Sequence, residues 1–512
     1  MARFGLIGPS YSSQSLNADC QVTMNWYTEI LEQVNGKSAM VLYPTPGESV
    51  FAALPGQPVR GQCEINGRAF AVSGTNFCEV FANGTFSVIA QTGNDLSNVY
   101  MVASPQQLVI VSAGNLYVYW LQTTTGGTNP QVAGTFKKIP NTNFTLPGGS
   151  IGIPQQVEYI DGFFILLMRN SQTIYLSTPF DASTWPALQF ITVSVFSDNV
   201  QSIIANQRRL WVLGRKRSTV YYDSGSANIF DVDPSGTMET GTASTSASVR
   251  LDNAVFWLDQ DERGSGVVRR GEGYTPTRVS NHAIEFAMQG YPTIADCVAY
   301  SYQDQGHAFA VFNFPTANKT WVYDVATNSW HERSFFNSQT GLLSMHKSQN
   351  HSFAFGKHLV GDPFSGNLYQ LSINTPTDNG GPIRRIRRSP HISTENKWTF
   401  YNELILDVEA GLGPQPPLLD GAGNARGPQI ILRWSKDYGH TWSNEYMLDA
   451  GQAGQFKQRL RKSRMGRARD MVFEISTTDP IPWRIIEGYI DADGPAPMKA
   501  KQRLASTYGQ VT

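Results

Sequence analysis

Two clusters of side chains in the last quarter of this 512-residue chain have the types and spacing that chemistry would need. The first is Ser435-Lys436-Asp437-Tyr438-Gly439-His440-Thr441-Trp442, which fits the Asp-box pattern S-x-D-x-G-x-T-W. Asp437 is placed to accept from turn amides, Gly439 to supply a positive φ, and Trp442 to pack under a hairpin. The pattern marks a β-hairpin. It says little about glycoside hydrolysis, because one copy is present and no spacing identifies a nucleophile pair or an arginine cluster for a carboxylate. The second cluster is the run Lys457, Arg459, Arg461, Lys462, Arg464, Arg467 and Arg469, with no acid until Asp470. Guanidinium groups on one side of a strand track phosphates without reading sequence. The alternative is a solvated face, or a basic edge that meets acids across a subunit contact. Lys457, Arg459 and Arg461 share strand period, and Gly466 is expected to break that strand. A third basic group, Arg384, Arg385, Arg387 and Arg388, carries the same ambiguity, and its place in an expected linker favours a docking contact.

Other constellations fail on spacing. Gly36-Lys37-Ser38 ends like a P-loop, but Leu31 stands where its first glycine is needed. Gly271 and Gly273 are followed by Pro276 instead of a third dinucleotide-fold glycine. The eight histidines form no metal-type pair, no G-x-S-x-G elbow occurs, and Asp259/Asp261 and Asp491/Asp493 look like turn carboxylates. The expectation is a protein with no catalytic residues, no metal and no cofactor.

The elements that must carry these side chains are strands. Aromatics reach 12% with 46 Gly and 28 Pro, while charged residues make up 16% against the usual quarter. Seven apolar hairpins recur, beginning at Gly67, Gln107, Gly162, Arg209, Asn253, Gly306 and Ser352. Their separation is close to the roughly 40–50 residues of a four-stranded propeller blade. This predicts an all-β chain: a β-propeller of six or seven blades over 51–375, with a β-sandwich of similar hairpin spacing as the alternative. Tyr323–Trp330 resembles a kelch-type outer hairpin. Residues 1–50 form an N-terminal arm whose stretch Asn17–Gln33 is the one helical or arm-like candidate. Residues 376–512 form a C-terminal β-sandwich-like domain with strands at Trp398–Glu409, Ile430–Trp434, Asn444–Leu448, Gln455–Arg461, Arg469–Ser476 and Trp483–Ile490.

Net charge is −1, so global charge excludes nothing; the segment 376–512 is nonetheless slightly basic and the remainder acidic. Cys20, Cys63, Cys78 and Cys297 have no ligand spacing and read as free thiols. Met1–Gly5 lacks an apolar signal core, and the dense apolar stretch Phe163–Met168 is far short of a span. A soluble protein made in a cytoplasm is expected.

These residues resemble a known family. Asn17-Ala18-Asp19, Asn25, Tyr27 and Pro46-Gly47 are similar to the start of the phage packaged-DNA stabilisation proteins, the tail nozzle or tail accessory factors of short-tailed phages. Arg387–Ile392, Leu406–Gly411, the Asp box and Arg464–Glu474 resemble blocks of that family in the same order. Related sequences also occur in phages with other tail types. The resemblance implies a non-enzymatic virion tail protein, assembled in the host cytoplasm as a homohexameric ring below the portal and its adaptor. Its partners would be that adaptor, fibre, spike or needle proteins, and genomic double-stranded DNA in the lumen. The ring would extend the channel, retain packaged genome and conduct it on ejection. A tail-borne propeller that binds or cleaves glycans, and a host-derived propeller scaffold, are the other readings.

Overall fold

The computed structural model describes residues 2–32, 38–124, 131–226, 229–261, 263–414 and 416–493. Gln33, Gly36, Lys37 and the tail beyond 493 lie outside them. The chain forms two compact units, one of residues 48–328 and 345–372, the other of 1–47, 329–344 and 373–512. The expected division at 50 and 375 therefore meets a chain that leaves and re-enters its second unit.

The first unit is a β-propeller. Among the described residues its blades number seven. The first five are four-stranded antiparallel sheets whose innermost strands are Val59–Ile65, Tyr100–Ala103, Pro154–Ile160, Val200–Asn206 and Ser248–Leu251. The sixth contributes Val298–Asp304, His307–Phe314 and Lys319–Asp324, and the seventh Asn350–Ala354, Lys357–Gly361 and Asn367–Ser372. Each innermost strand touches the next, and Asn350–Ala354 touches Val59–Ile65, so the ring closes. The strand Gly47–Ala53 completes the last blade beside Asn367–Ser372, which locks the two ends of the unit together.

The apolar hairpins owe their composition to this architecture. In Gln107–Ser112, Leu108 and Ile110 enter the core shared with the first blade, while Val109 and Val111 enter the core shared with the third. In Phe163–Met168, Phe164, Leu166 and Met168 face one way and Ile165 and Leu167 the other. Period-two alternation between two apolar cores makes a strand that is apolar throughout. Most of the innermost strands carry more polar side chains. Ser202 Oγ lies 2.9 Å from Ser248 Oγ, and Gln62 Nε2 donates to Asn350 Oδ1 at 2.8 Å. A pocket of about 280 Å³ lies among them.

The second unit is a β-sandwich. One sheet runs in the order Trp26–Ile30, Met40–Pro44, Ile485–Asp493, Thr399–Val408, Leu460–Ala468, with Ala2–Phe4 also on Ile485–Asp493. The other includes Cys20–Met24, Arg385–Arg388, Asp470–Thr477, Gln429–Ser435 and Tyr446–Asp449. Phe4, Trp26, Leu404, Leu432, Phe473, Trp483 and Ile485 fill the space between them. The described part of Asn17–Gln33 is thus neither helix nor arm: Cys20–Met24 and Trp26–Ile30 are strands, one in each sheet. Val22, Met24 and Trp26 alternate as a strand does, but the pattern is too short to outweigh its polar flanks. Among the described residues no helix is long and apolar enough to cross a membrane. Cys20, Cys78 and Cys297 are buried and unpaired, and Cys63 is half-buried.

Candidate functional site

The Asp box closes the turn after Gln429–Ser435. Asp437 accepts from the Thr441 amide at 2.8 Å and the Thr441 hydroxyl at 2.7 Å, and Ser435 Oγ donates to it at 2.7 Å. Tyr438 and Gly439 both take positive φ, 62° and 91°. Partial burial opposes ionisation of Asp437, but the Thr441 and Ser435 hydrogen bonds and the nearby His440 outweigh it and hold the carboxyl at about 2. A carboxylate so engaged is a turn brace. Trp442 lies against two guanidinium groups, those of Arg388 and Arg433, each 4.8 Å from its ring.

Those arginines converge on Glu474, whose side chain is only 2% exposed. Arg388 donates to Oε2 from Nε and from its terminal nitrogen, at 2.9 and 2.7 Å, and Arg433 Nε donates to Oε1 at 2.7 Å. The Asp-box tryptophan therefore covers an Arg–Glu–Arg cluster that ties three neighbouring strands together.

The basic group at 384–388 needs correction. Arg385–Arg388 is not a linker but a strand between Cys20–Met24 and Asp470–Thr477. Alternation buries Arg385 and Arg387, 1% and 0% exposed, so neither can meet DNA or a neighbouring copy. Arg387 donates to the carbonyls of Leu6 and Pro9, to Thr23 Oγ1 at 2.8 Å and to Gln21 Oε1 at 2.7 Å. Burial pushes its pKa down, yet its donors are satisfied, and it pins residues 6–23 to the sandwich. Arg384 remains half-buried against the Phe336 ring, 5.7 Å away.

The longer basic run keeps its place at the surface. The strand is Leu460–Ala468, not Gln455–Arg461, and it continues through Gly466. Lys457 and Arg459 precede it, so they do not share a strand face with Arg461. It is the outermost strand of its sheet and pairs with Thr399–Val408. A bulge opposite Asn402, with Arg464 at φ 61° and Gly466 at φ 82°, interrupts the alternation and turns further arginines outward. Leu460, Met465 and Ala468 are buried, Lys462 is half-buried with its ammonium 3.6 Å from the Tyr446 ring centroid, and the other cations are exposed.

Within this run only Arg461 has a carboxylate nearby among the described residues, Glu403 at 3.9 Å. The other six cations have no ion-pair partner among the described residues. Arg467 and Arg469 instead flank an exposed aromatic, with guanidinium carbons 4.9 and 5.2 Å from the Trp398 ring. Trp398 and its neighbour Phe400 are 53% and 52% exposed. From Arg461 to Arg467 the strand covers about 20 Å, over which a duplex carries roughly twelve phosphate charges. Exposed, strand-mounted and, apart from Arg461, without an ion-pair partner among the described residues, the row suits loose phosphate contact. Charges on an edge strand also discourage sheet extension, which is the plainer physical role of such a row. No pattern in the sequence signals Trp398, because a tryptophan at a strand start ordinarily packs inward.

Asp470, the acid that ends the run, is committed elsewhere. Its Oδ1 accepts from His391 Nδ1 at 2.7 Å, while His391 Nε2 donates to the Leu16 carbonyl at 2.8 Å. Two acceptors on two ring nitrogens require the imidazolium. Burial opposes that charge, but the bond to Asp470 chiefly overcomes it and raises the pKa to about 10.

Comparison with known proteins agrees with this architecture. A family model described as bacteriophage P22 Gp10, beta-propeller, matches residues 14–376, and one described as bacteriophage P22 Gp10, beta-sandwich, matches residues 384–493. No curated protein matches. Among solved structures, the N-terminal domain of Nup159 is similar at 9% identity and a TM-score of 0.41, over 69% of this chain and 98% of that one. The extracellular domain of the putative hybrid two component system BT4673 from B. thetaiotaomicron is similar at 10% identity and a TM-score of 0.42, over 78% of this chain and 47% of that one.

Proposed function

The chain belongs to the bacteriophage P22 Gp10 family, and on that premise we propose that it is a tail nozzle or hub component acting in the virion without catalysis. Six copies close into a ring below the portal adaptor, carry fibre, spike or needle proteins, and continue the channel through which genomic DNA is held and then ejected. The observation that carries this reading is the pair of family matches, which together span nearly the whole described chain in the order propeller then sandwich.

The pocket of about 280 Å³ among the innermost strands has room for roughly nine waters at about 30 Å³ each, which is little space for a duplex. In this reading DNA passes between subunits. The exposed row Arg461, Arg464, Arg467 and Arg469 is the surface best suited to that lumen. Its charges are sparse, so a sliding duplex meets no deep electrostatic trap, and salt tunes the contact. Ring closure requires heterologous contacts between copies.

Light scattering tests the assembly. In the presence of the adaptor the expected mass is near six times that of the 56.6 kDa chain, beyond the adaptor's own. A chain that stays monomeric with adaptor at every concentration contradicts the ring.

A further inference from the structure

The propeller carries a candidate site of its own. It lies where the turns between first and second strands of the fourth to seventh blades cluster. These turns are tight and take positive φ at Gln207, Asp252, Asn253 and Gln305. Such turns select Asn, Asp and Gly, so the hairpin chemistry that builds the blades also loads one face with carboxamides and carboxylates. A cavity of about 670 Å³ opens there, within the range of about 300–1,000 Å³ typical of small-ligand pockets.

The lining is unusual in two respects. The side chains of Asn253, Gln303, Asp304 and Gln305 make no hydrogen bond among the described residues, although all four line the cavity. Beside them Phe353 is 55% exposed. Its ring is held from behind by His358, 4.9 Å away, and His358 Nδ1 is in turn 3.0 Å from His351 Nε2. Tyr302 packs on both imidazoles at 6.0 Å. A fixed aromatic face therefore borders a row of unengaged donors and acceptors.

Charge narrows the ligand. Arg250 is occupied by Glu158 at 3.7 Å and by the Ala205 carbonyl at 3.0 Å. Asp252 lies 3.5 Å from Arg270, and Asp304 has no ion-pair partner among the described residues. Burial keeps both histidines uncharged, His351 at about 3 and His358 lowered as well. With Arg250 set against Asp252 and Asp304 and both histidines uncharged, the described lining residues carry no net positive charge, so the pocket disfavours phosphates and sialic acids. It suits a ligand whose groups both donate and accept and whose ring has an apolar face.

We propose that this cavity binds a short neutral oligosaccharide, with a sugar ring stacked on Phe353 and its hydroxyls bonded to Asn253, Gln303, Asp304 and Gln305. The site stands independently of the ring and equips the same protein to contact a cell-surface polysaccharide.

Saturation-transfer NMR on the full chain tests it, with cellobiose, maltotriose, chitobiose, lactose and 3′-sialyllactose as probes. Transfer is expected from at least one neutral probe, with a tenfold or greater loss of affinity in Phe353→Ala and a smaller loss in the exposed Gln303→Ala, whose fold is not at risk. The proposal is overturned by transfer from no neutral probe, by equal or tighter binding of 3′-sialyllactose, or by affinity unchanged in both variants.

Discussion

The guanidinium of Arg467 lies 4.9 Å from the ring of Trp398, and that indole is half exposed at the open edge of the sandwich. Cation–π attraction here is worth about 0.5–1 kcal/mol, enough to hold the arginine in a defined place without engaging its charge with an acid. Arg469 also lies against this ring, at 5.2 Å. The row is thus both ordered and electrostatically available.

Charge reversal of Arg467 and Arg469 together should weaken binding of the assembled protein to duplex DNA of any sequence. The slope of log affinity against log salt should fall by about 0.9 for each phosphate no longer neutralised. Reversal of Arg385 is not an equivalent test, because that side chain is buried and the variant should simply misfold. Filter binding at several salt concentrations measures the slope. An unchanged slope with intact assembly would place the row at an interface or in free solvent.

Glu474→Gln should destabilise the sandwich by about 3 kcal/mol, because it strands two half-buried guanidinium groups against Trp442. Urea unfolding, followed by near-UV circular dichroism, reads the loss. A change below about 0.5 kcal/mol would mean that solvent already satisfies Arg388 and Arg433.

His391 makes the attachment of the N-terminal strands pH-dependent. Its folded pKa is raised to about 10, above the ordinary value of 6.5. The folded state therefore holds the proton more tightly than the unfolded state. The stabilisation is complete below about pH 6.5 and is lost as pH rises towards 10, at up to about 1.4 kcal/mol per pH unit. Asp470→Asn should flatten that part of the stability profile. Equal slopes in both proteins between pH 7 and 9.5 would remove His391 from the account.

Leu166→Ala should cost about 3 kcal/mol in the propeller, since that side chain is fully buried in the core between the second and third blades. A loss below about 1 kcal/mol by thermal unfolding would indicate a core able to collapse around the gap.

The propeller is legible in the sequence because its physics repeats. Six of the seven apolar units correspond to central hairpins, the seventh starts at Ser352 in an innermost strand and runs on through Asn367–Ser372, and Gln107–Ser112 and Phe163–Met168 are apolar for the same reason, a core on each side. The Asp box is legible because its hydrogen bonds are local. What stays hidden depends on distant partners. Nothing near Arg387 in the chain announces that it will reach the Leu6 and Pro9 carbonyls, and a basic cluster reads the same whether strand alternation turns it in or out. The strands at Cys20–Met24 and Trp26–Ile30 are hidden likewise, since each is stabilised by a sheet completed after residue 384. In the basic run, the bulge at Arg464 breaks the period from which side-chain directions are inferred.

Imaging the assembled particle tests the central claim most directly. A reconstruction of the virion tail should show six copies of this two-unit chain in a closed ring below the portal adaptor, with the strand Leu460–Ala468 and Trp398 facing the DNA-filled lumen. A chain found singly on a fibre, or a ring with that strand turned to the outer surface, would contradict it.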